Sequence, residues 1–245
     1  MNAEIALKLA RRFIELPQDK RPLFLDGLRE EGVEFSLLPI PDGVVSEDRD
    51  ELSYAQRRMW FLWQMEPDSP AYNVGGMARL RGVLDVGRFE AALQALIMRH
   101  ETLRTTFPSV DGVACQKVSA QTNVRMDWQD FSALNEPQRQ QRLQQLADVE
   151  AHTPFNLETG PLLRACLVKA GEQEHYLVLT LHHIVTEGWA MDIFARELSA
   201  LYEAFIDERD SPLPALPVQY LDYSVWQRQW MEAGERQRQL DYWTA

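Results

Sequence analysis

Tyr176-Leu177-Val178-Leu179-Thr180-Leu181-His182-His183-Ile184-Val185-Thr186-Glu187-Gly188-Trp189 is the stretch on which fold and chemistry both turn. Its first six residues lack helical spacing and are dominated by apolar and β-branched side chains, which reads as a buried strand. Successive side chains on a strand point to opposite faces, so His182 and His183 cannot serve the same purpose. One is expected to be a hydrogen-bonded structural histidine and the other to stand at a strand end facing a cleft. Glu187 precedes a helix that begins near Gly188, where a carboxylate can satisfy free N–H groups and the positive helix end. Gly188 permits a backbone that other residues resist. On residue content alone the cluster reads as a strand, a turn and a helix with a carboxylate cap. A zinc site has weaker support: adjacent strand histidines diverge, and no H-E-x-x-H helix is present.

Outward from this stretch, Leu162 to Val168 reads as a partner strand and Gly188 to about Ile206 as a long helix. Upstream, Tyr72 to Gly82 is a strand, and Asp85 caps a helix with Phe89, Leu93, Leu96 and Ile97 on one face. Arg104 to Phe107 and Val113 to Val118 form a hairpin around Val110-Asp111-Gly112. Glu136 to Glu150 is a polar helix with an apolar edge at Leu143, Leu146 and Val149. Downstream, three prolines between Ser211 and Pro217 mark a loop, and Asp222 to Trp243 is helical. Helices and strands alternate, but some strands are joined by hairpins. The expectation is an α/β sandwich with a mixed sheet covered by helices, rather than a doubly wound parallel sheet. No phosphate-binding glycine loop follows a strand, so nucleotide binding has no support.

Residues 1 to 50 look separate. Ile5, Leu9, Phe13 and Leu16 recur at helical spacing, and Pro17 ends that helix. Asp19 is expected to cap a second helix that Gly32 closes. Pro39, Pro41, Gly43 and the acidic run Ser46 to Glu51 read as a linker. The main body begins near Leu52, with Ser53 as N-cap of a helix carrying Met59, Trp60, Phe61 and Leu62.

Composition narrows the classes. The 245 residues hold 37 acidic against 25 basic side chains, a net charge of −12. That balance argues against a nucleic-acid partner, which needs a basic face. Two cysteines, Cys115 and Cys166, are too few for a disulfide framework or a cysteine-based zinc site. No apolar run approaches the roughly 20 residues of a membrane span, and the N-terminus lacks a signal-peptide pattern. A cytoplasmic location is the expectation.

His182-His183-Ile184-Val185-Thr186-Glu187-Gly188 resembles the H-H-x-x-x-D-G signature of condensation domains of nonribosomal peptide synthetases. Three further strings are similar to motifs of that family, in the right order. They are Ser53-Tyr54-Ala55-Gln56-Arg57-Arg58-Met59-Trp60-Phe61-Leu62, Arg99-His100-Glu101-Thr102-Leu103-Arg104-Thr105-Thr106-Phe107, and Tyr220-Leu221-Asp222-Tyr223-Ser224-Val225-Trp226. The leading helices resemble segments that precede condensation domains in pyoverdine-type siderophore synthetases of pseudomonads.

The resemblance implies a chloramphenicol-acetyltransferase-like sandwich, one lobe of a two-lobed, V-shaped domain. Residues 1–50 would be a helical leader and linker, and 51–245 the N-terminal lobe with its exit helix. The chain stops shortly after the fourth motif, so the second lobe would be absent and the isolated chain inactive. The implied reaction joins a donor acyl or peptidyl thioester to the α-amine of an acceptor aminoacyl thioester. Both ride on phosphopantetheine arms of donor and acceptor carrier domains, and an adenylation domain would adjoin in the parent chain. No cofactor and no metal would be held by this chain itself. His183 would orient the amine and take its proton, with His182 as the structural partner. Gly188 would lie near the reacting carbonyl, and Trp189 would line the substrate channel. The family carries Asp where this chain has Glu187, and pairs it with the arginine that stands here as Arg104. An ion pair between Glu187 and Arg104 is therefore expected. Two other readings compete: a coenzyme-A-dependent acyltransferase, and a noncatalytic carrier-docking lobe whose site is impaired by Glu187.

Overall fold

The computed structural model describes residues 2–41, 51–121 and 124–244. It divides into two compact units, one of residues 1–54 with 216–245 and one of residues 55–215. The first begins with α1 (Ala3–Glu15), whose first turn is capped by the Asn2 side chain accepting from the Ile5 N–H at 2.8 Å. Phe13 and Ala10 on α1 are fully buried. After Pro17 comes a 3-10 turn and then α2 (Arg21–Glu30). Asp19, expected as the cap, lies inside the 3-10 turn, and α2 starts without a side-chain cap. Arg21 instead reaches back, donating to the Leu16 and Ile14 carbonyls at 3.0 and 3.1 Å, which a helix end leaves without partners. Gly32, at φ 71°, closes α2 as the sequence suggested. The linker expected around Gly43 and Ser46 lies outside the described residues.

The second unit carries the sheet. It follows α3 (Tyr54–Met65), β1 (Asn73–Arg81) and α4 (Val86–Arg99), whose Asp85 cap accepts from Arg88 N–H at 2.9 Å. Next come β2 (Thr105–Thr106), β3 (Ser109–Val110), β4 (Val113–Ala114) and β5 (Lys117–Val118), two small antiparallel pairs around the Asp111-Gly112 turn. Arg104, read as the start of a strand, is the last residue of a 3-10 turn, Glu101–Arg104. Then follow β6 (Met126–Asp130), α5 (Glu136–His152), β7 (Leu163–Gly171), β8 (Glu174–His182) and α6 (Ala190–Ile206).

Four strands form one sheet in the order β1-β8-β7-β6. Only β6 and β7 run parallel; the other neighbours are antiparallel, so the sheet is mixed, as expected. Alternation on β7 and β8 sorts the core. Leu163, Ala165, Leu167, Leu177, Leu179 and Leu181 pack with Leu93, Leu96, Ile97, Leu198 and Leu201 of α4 and α6. Cys166, Val168, Tyr176 and Val178 pack on the other side against Leu143 of α5. Both faces of the central strands are thus apolar, which is why their sequences read as continuous rather than alternating runs. Val149, expected on the apolar edge of α5, is exposed.

The remaining helices return to the first unit. α7 (Tyr220–Trp230) starts with a capping box in which the Asp222 carboxylate accepts from the Gln219 N–H at 2.9 Å. One helix was expected to run to Trp243. Instead Gly234, at φ 115°, breaks it inside a π-turn over Met231–Glu235, and α8 (Arg236–Thr244) follows. Trp226 and Ala233 join Phe13, Leu25, Leu28 and Phe35 in a shared core, with Trp226 stacked on Phe35 at 5.7 Å. α7 and the π-turn after it share an apolar core with the leader, with the rings of Trp226 and Trp230 against Phe35, whereas no residue of α8 is buried. Segments of the first and fourth motifs interlock there. Ser53 Oγ lies 3.1 Å from the Tyr220 hydroxyl, Gln227 accepts from the Tyr54 N–H at 3.1 Å, and Arg228 donates to the Leu52 carbonyl at 2.8 Å.

Candidate active site

At the end of β8 the two histidines part. His182 pairs in register with Asn73 of β1 and is 3% exposed. Its ring sits between Tyr72 and Phe155, each with its centroid 6.2 Å away, the Phe155 ring edge-on. Its Nδ1 accepts from the Ile184 N–H at 3.1 Å. An accepting Nδ1 places the proton of the neutral ring on Nε2. Burial, and then the neighbouring His183, push the His182 pKa down to about 4, so this ring is neutral at physiological pH.

His183 is half-buried. Its backbone N–H donates to the Tyr72 carbonyl at 2.8 Å, and its Nδ1 lies 2.7 Å from the Thr186 carbonyl. A carbonyl only accepts, so Nδ1 carries the proton and the Nε2 lone pair of the neutral ring is left for another partner. The two adjacent rings therefore hold opposite tautomers: His182 is used up inside the fold, and His183 presents a basic nitrogen. Strand alternation leads to two histidines in different surroundings, and their burial and partners differ accordingly.

The turn that follows is held by its backbone. Val185 N–H returns to the His182 carbonyl at 3.0 Å, while the Ala190 and Met191 N–H groups donate to the Glu187 and Gly188 carbonyls at 3.0 and 3.3 Å. The first turn of α6 thus uses the carbonyl of Glu187, and no side chain caps this helix. The expected carboxylate cap is not formed. Gly188 lies outside the left-handed region, and a Cβ there would meet nothing within 4 Å. Its lack of a side chain leaves open space rather than relieving strain, which differs from the conformational role expected of it. Trp189 is 65% exposed beside it.

The ion pair expected between Glu187 and Arg104 is absent. Glu187 is exposed and makes no ion pair or side-chain hydrogen bond among the described residues. Arg104 is engaged elsewhere: it donates to the Ser119 carbonyl and, at 3.4 Å, to Met98, and its guanidinium lies 3.6 Å from Glu101. With three acceptors around the end of its own 3-10 turn, the fork has no need of a distant, fully hydrated carboxylate. The arginine of the second motif that does tie into α6 is Arg99. Its Nε lies 3.0 Å from Glu197, which also takes His100 Nε2 at 2.7 Å. Burial works against the Glu197 charge, yet these two partners hold its carboxyl below the usual range.

Sequence reasoning passed over a second group around His182. Asn73 Nδ2 donates to the Ala151 and Thr153 carbonyls, both at 2.8 Å, and Trp63 Nε1 donates to the Phe155 carbonyl at 3.0 Å. Arg164 of β7 lies with its guanidinium carbon 3.8 Å from the Phe155 ring centroid. These residues are scattered over about 100 positions of chain, and no local pattern joins them. No group of three or more His, Cys, Asp or Glu side chains is placed to hold a metal among the described residues.

The Condensation domain family matches residues 46–245 of this chain. The chain belongs to the condensation-domain family. It is 42% identical over 219 residues to one of the linear gramicidin synthase proteins of Brevibacillus parabrevis, covering 89% of this chain and 4% of that protein. Against chondramide synthase of Chondromyces crocatus the identity is 42% over 192 residues, covering 78% of this chain and 5% of that one. The chain thus spans a small fraction of these relatives. Among solved structures it is similar to the starter condensation domain of rhizomide synthetase RzmA, with a TM-score of 0.72 and 27% identity over 79% of this chain and 46% of that one. It is also similar to a complex of the X-domain and OxyB from teicoplanin biosynthesis, at a TM-score of 0.69 and 28% identity over 81% of this chain and 41% of that one. The sandwich of this condensation-domain lobe, a mixed sheet covered by helices, is therefore the family's fold.

Proposed function

We propose that this chain is the histidine-bearing half of a condensation domain that joins a donor acyl or peptidyl thioester to the α-amine of an acceptor aminoacyl thioester. Both substrates would be presented on phosphopantetheine arms by donor and acceptor carrier domains. The supporting observation is the tautomer of His183: Nδ1 donates to the Thr186 carbonyl, which leaves the Nε2 lone pair to accept from a substrate. An α-amine has a pKa near 8, so a sizeable neutral fraction exists at pH 7 and no strong base is needed. His183 orients the amine and takes its proton as the new bond forms. The Gly188 N–H, at the start of α6, bonds no described residue and suits a developing oxyanion. Trp189, exposed beside it, is assigned to the channel wall.

Further parts belong to the same reading. A second lobe would cover the edge of β1 that pairs with no described strand, where a groove of about 650 Å³ runs along the strand and is walled by Met191, Phe194 and Leu198. An adenylation domain in the parent chain and a cytoplasmic location follow from the synthetase assignment, and no described helix is long and apolar enough to cross a membrane. A pyoverdine-type siderophore product rests on the leader helices alone.

The exposed Glu187, without Arg104, favours a second reading: a lobe that docks a partner without catalysing. One assay separates them. In the intact synthetase with both carriers loaded, His183→Ala is expected to lower dipeptidyl-carrier formation by about 10²-fold or more. Product at the unaltered rate would remove His183 from the mechanism. No product from the unaltered synthetase, but product on Glu187→Asp, would establish the docking reading.

A further inference from the structure

We propose that Arg164 is a positioning residue of the histidine site: it clamps the segment from Glu150 to Phe155 against His182, and through that ring fixes the turn that carries His183. The proposal rests on the reading of His183 given above. Arg164 stands on β7 opposite Thr180 of β8, two residues before His182. Its Nε lies 2.7 Å from the Glu150 carboxylate, and a terminal nitrogen donates to the Glu150 and Thr153 carbonyls, both at 2.8 Å. Carbonyls at a helix C-terminus have no partners within the helix, so a strand residue here finishes α5. Asn73, the register partner of His182, binds the same carbonyl of Thr153 from the other side. The chain then delivers Phe155, 4% exposed, with its carbonyl held by Trp63 and its ring under the Arg164 guanidinium.

That ring lies edge-on to His182 at an interplanar angle of 88°. His182 in turn accepts from Ile184 N–H, the first residue of the turn beyond His183. Arg164, Phe155, His182 and Ile184 are thus a continuous series of contacts that ends at the turn residue next to His183. Lysine could supply the charge but not a planar fork that reaches three acceptors while stacking on a ring. Phe155 and Tyr72 flank the ring whose burial, with the neighbouring His183, pushes His182 down to about 4.

The test is Arg164→Lys in this chain, with the histidine rings followed by NMR across pH and a thermal melt recorded beside it. The variant is expected to melt cooperatively. The His182 titration should move up toward the ordinary histidine range and the Ile184 amide resonance should shift, while His100, bonded to Glu197, keeps its lines. A residue that merely stabilised the fold would lower the melt and leave both His182 and Ile184 where they were, and that result overturns the proposal. Where Arg164→Lys does not fold, Phe155→Leu is read in the same way, since it keeps an apolar wall and removes the ring. In the intact synthetase the lysine variant should lose about tenfold or more in turnover with KM for the carriers unchanged, the signature of misplaced rather than lost binding. Lost turnover with an unmoved His182 counts against the proposal. Should the unaltered synthetase form no peptide bond, the functional reading fails while the titration still decides this one.

Discussion

His182 ties the chemistry of the site to the stability of the fold. Its pKa falls from the ordinary value of 6.5 to about 4 on folding. The unfolded chain therefore binds the extra proton first, and stability is complete above about pH 6.5 and lost as pH falls toward 4. The expected loss is about 3 kcal/mol, at 1.36 kcal/mol per pH unit over that window. Chemical denaturation at pH 7 and pH 4 should show it on top of the loss carried by depressed carboxyls such as Glu197, and His182→Gln should reduce the difference by about that amount; an equal acid loss in both proteins would show that His182 carries none of it. Gly188 makes the opposite case. Gly188→Ala meets no atom and no forbidden φ, so the melt should change by less than about 0.5 kcal/mol. If the oxyanion occupies that open space, product formation in the intact synthetase should fall all the same. At this scale strand alternation, a rigid rule, was informative that the two histidines differ in burial, while only the resemblance named His182 as the structural one. The ion pair it led us to expect between Arg104 and Glu187 does not form. Motif logic names partners, but exposure and the three acceptors around Arg104 decide which bonds form. Arg104→Ala is accordingly expected to cost about 1–3 kcal/mol through stranded carbonyls, and Glu187→Ala almost nothing, the two read by urea denaturation.

Among the elements, the long periodic ones were legible and the irregular ones were not. Asp85 and the Phe89, Leu93, Leu96, Ile97 face define α4 in sequence as they do in structure, since a cap and an apolar stripe are both local. Strand β6 was missed: Met126-Asp127-Trp128-Gln129-Asp130 is mostly exposed and acidic, and only its parallel pairing with β7 makes it a strand. The break at Gly234 was missed for a related reason. A glycine within a helical pattern is tolerated often enough that its left-handed φ shows only in three dimensions. Gly234→Ala should cost about 1–2 kcal/mol, because a side chain at φ 115° is strained even where space is open. The readout is the melting temperature, with Gly188→Ala as the matched control at an ordinary φ; equal shifts in the two would mean that the break is not strained.

For the whole molecule the question is what the sheet lacks. The chain spans 46% of a solved condensation domain, and β1 stands at the edge of the four-stranded sheet with Gly75 to Arg79 exposed. An edge strand of nine residues beside an apolar groove is a template for another strand or an aggregation site. Its sequence blunts it little: it has two glycines in its first half, no proline, and charge only at Arg79 and Arg81. The apolar clusters on both faces of β7 and β8 do not depend on that edge, so the isolated chain is expected to fold cooperatively with its core intact. Amide exchange should then separate the strands. The amides of β8, paired on both sides, should be the slowest, and those of β1 that point away from β8 should exchange orders of magnitude faster. Adding in trans the remaining part of a condensation domain from the family should slow those outward amides specifically, and dipeptidyl product is expected to rise with it. Uniform protection across β1 in the isolated chain would mean that the edge is already satisfied, and dipeptidyl product from the isolated chain would mean that this half of the domain is sufficient.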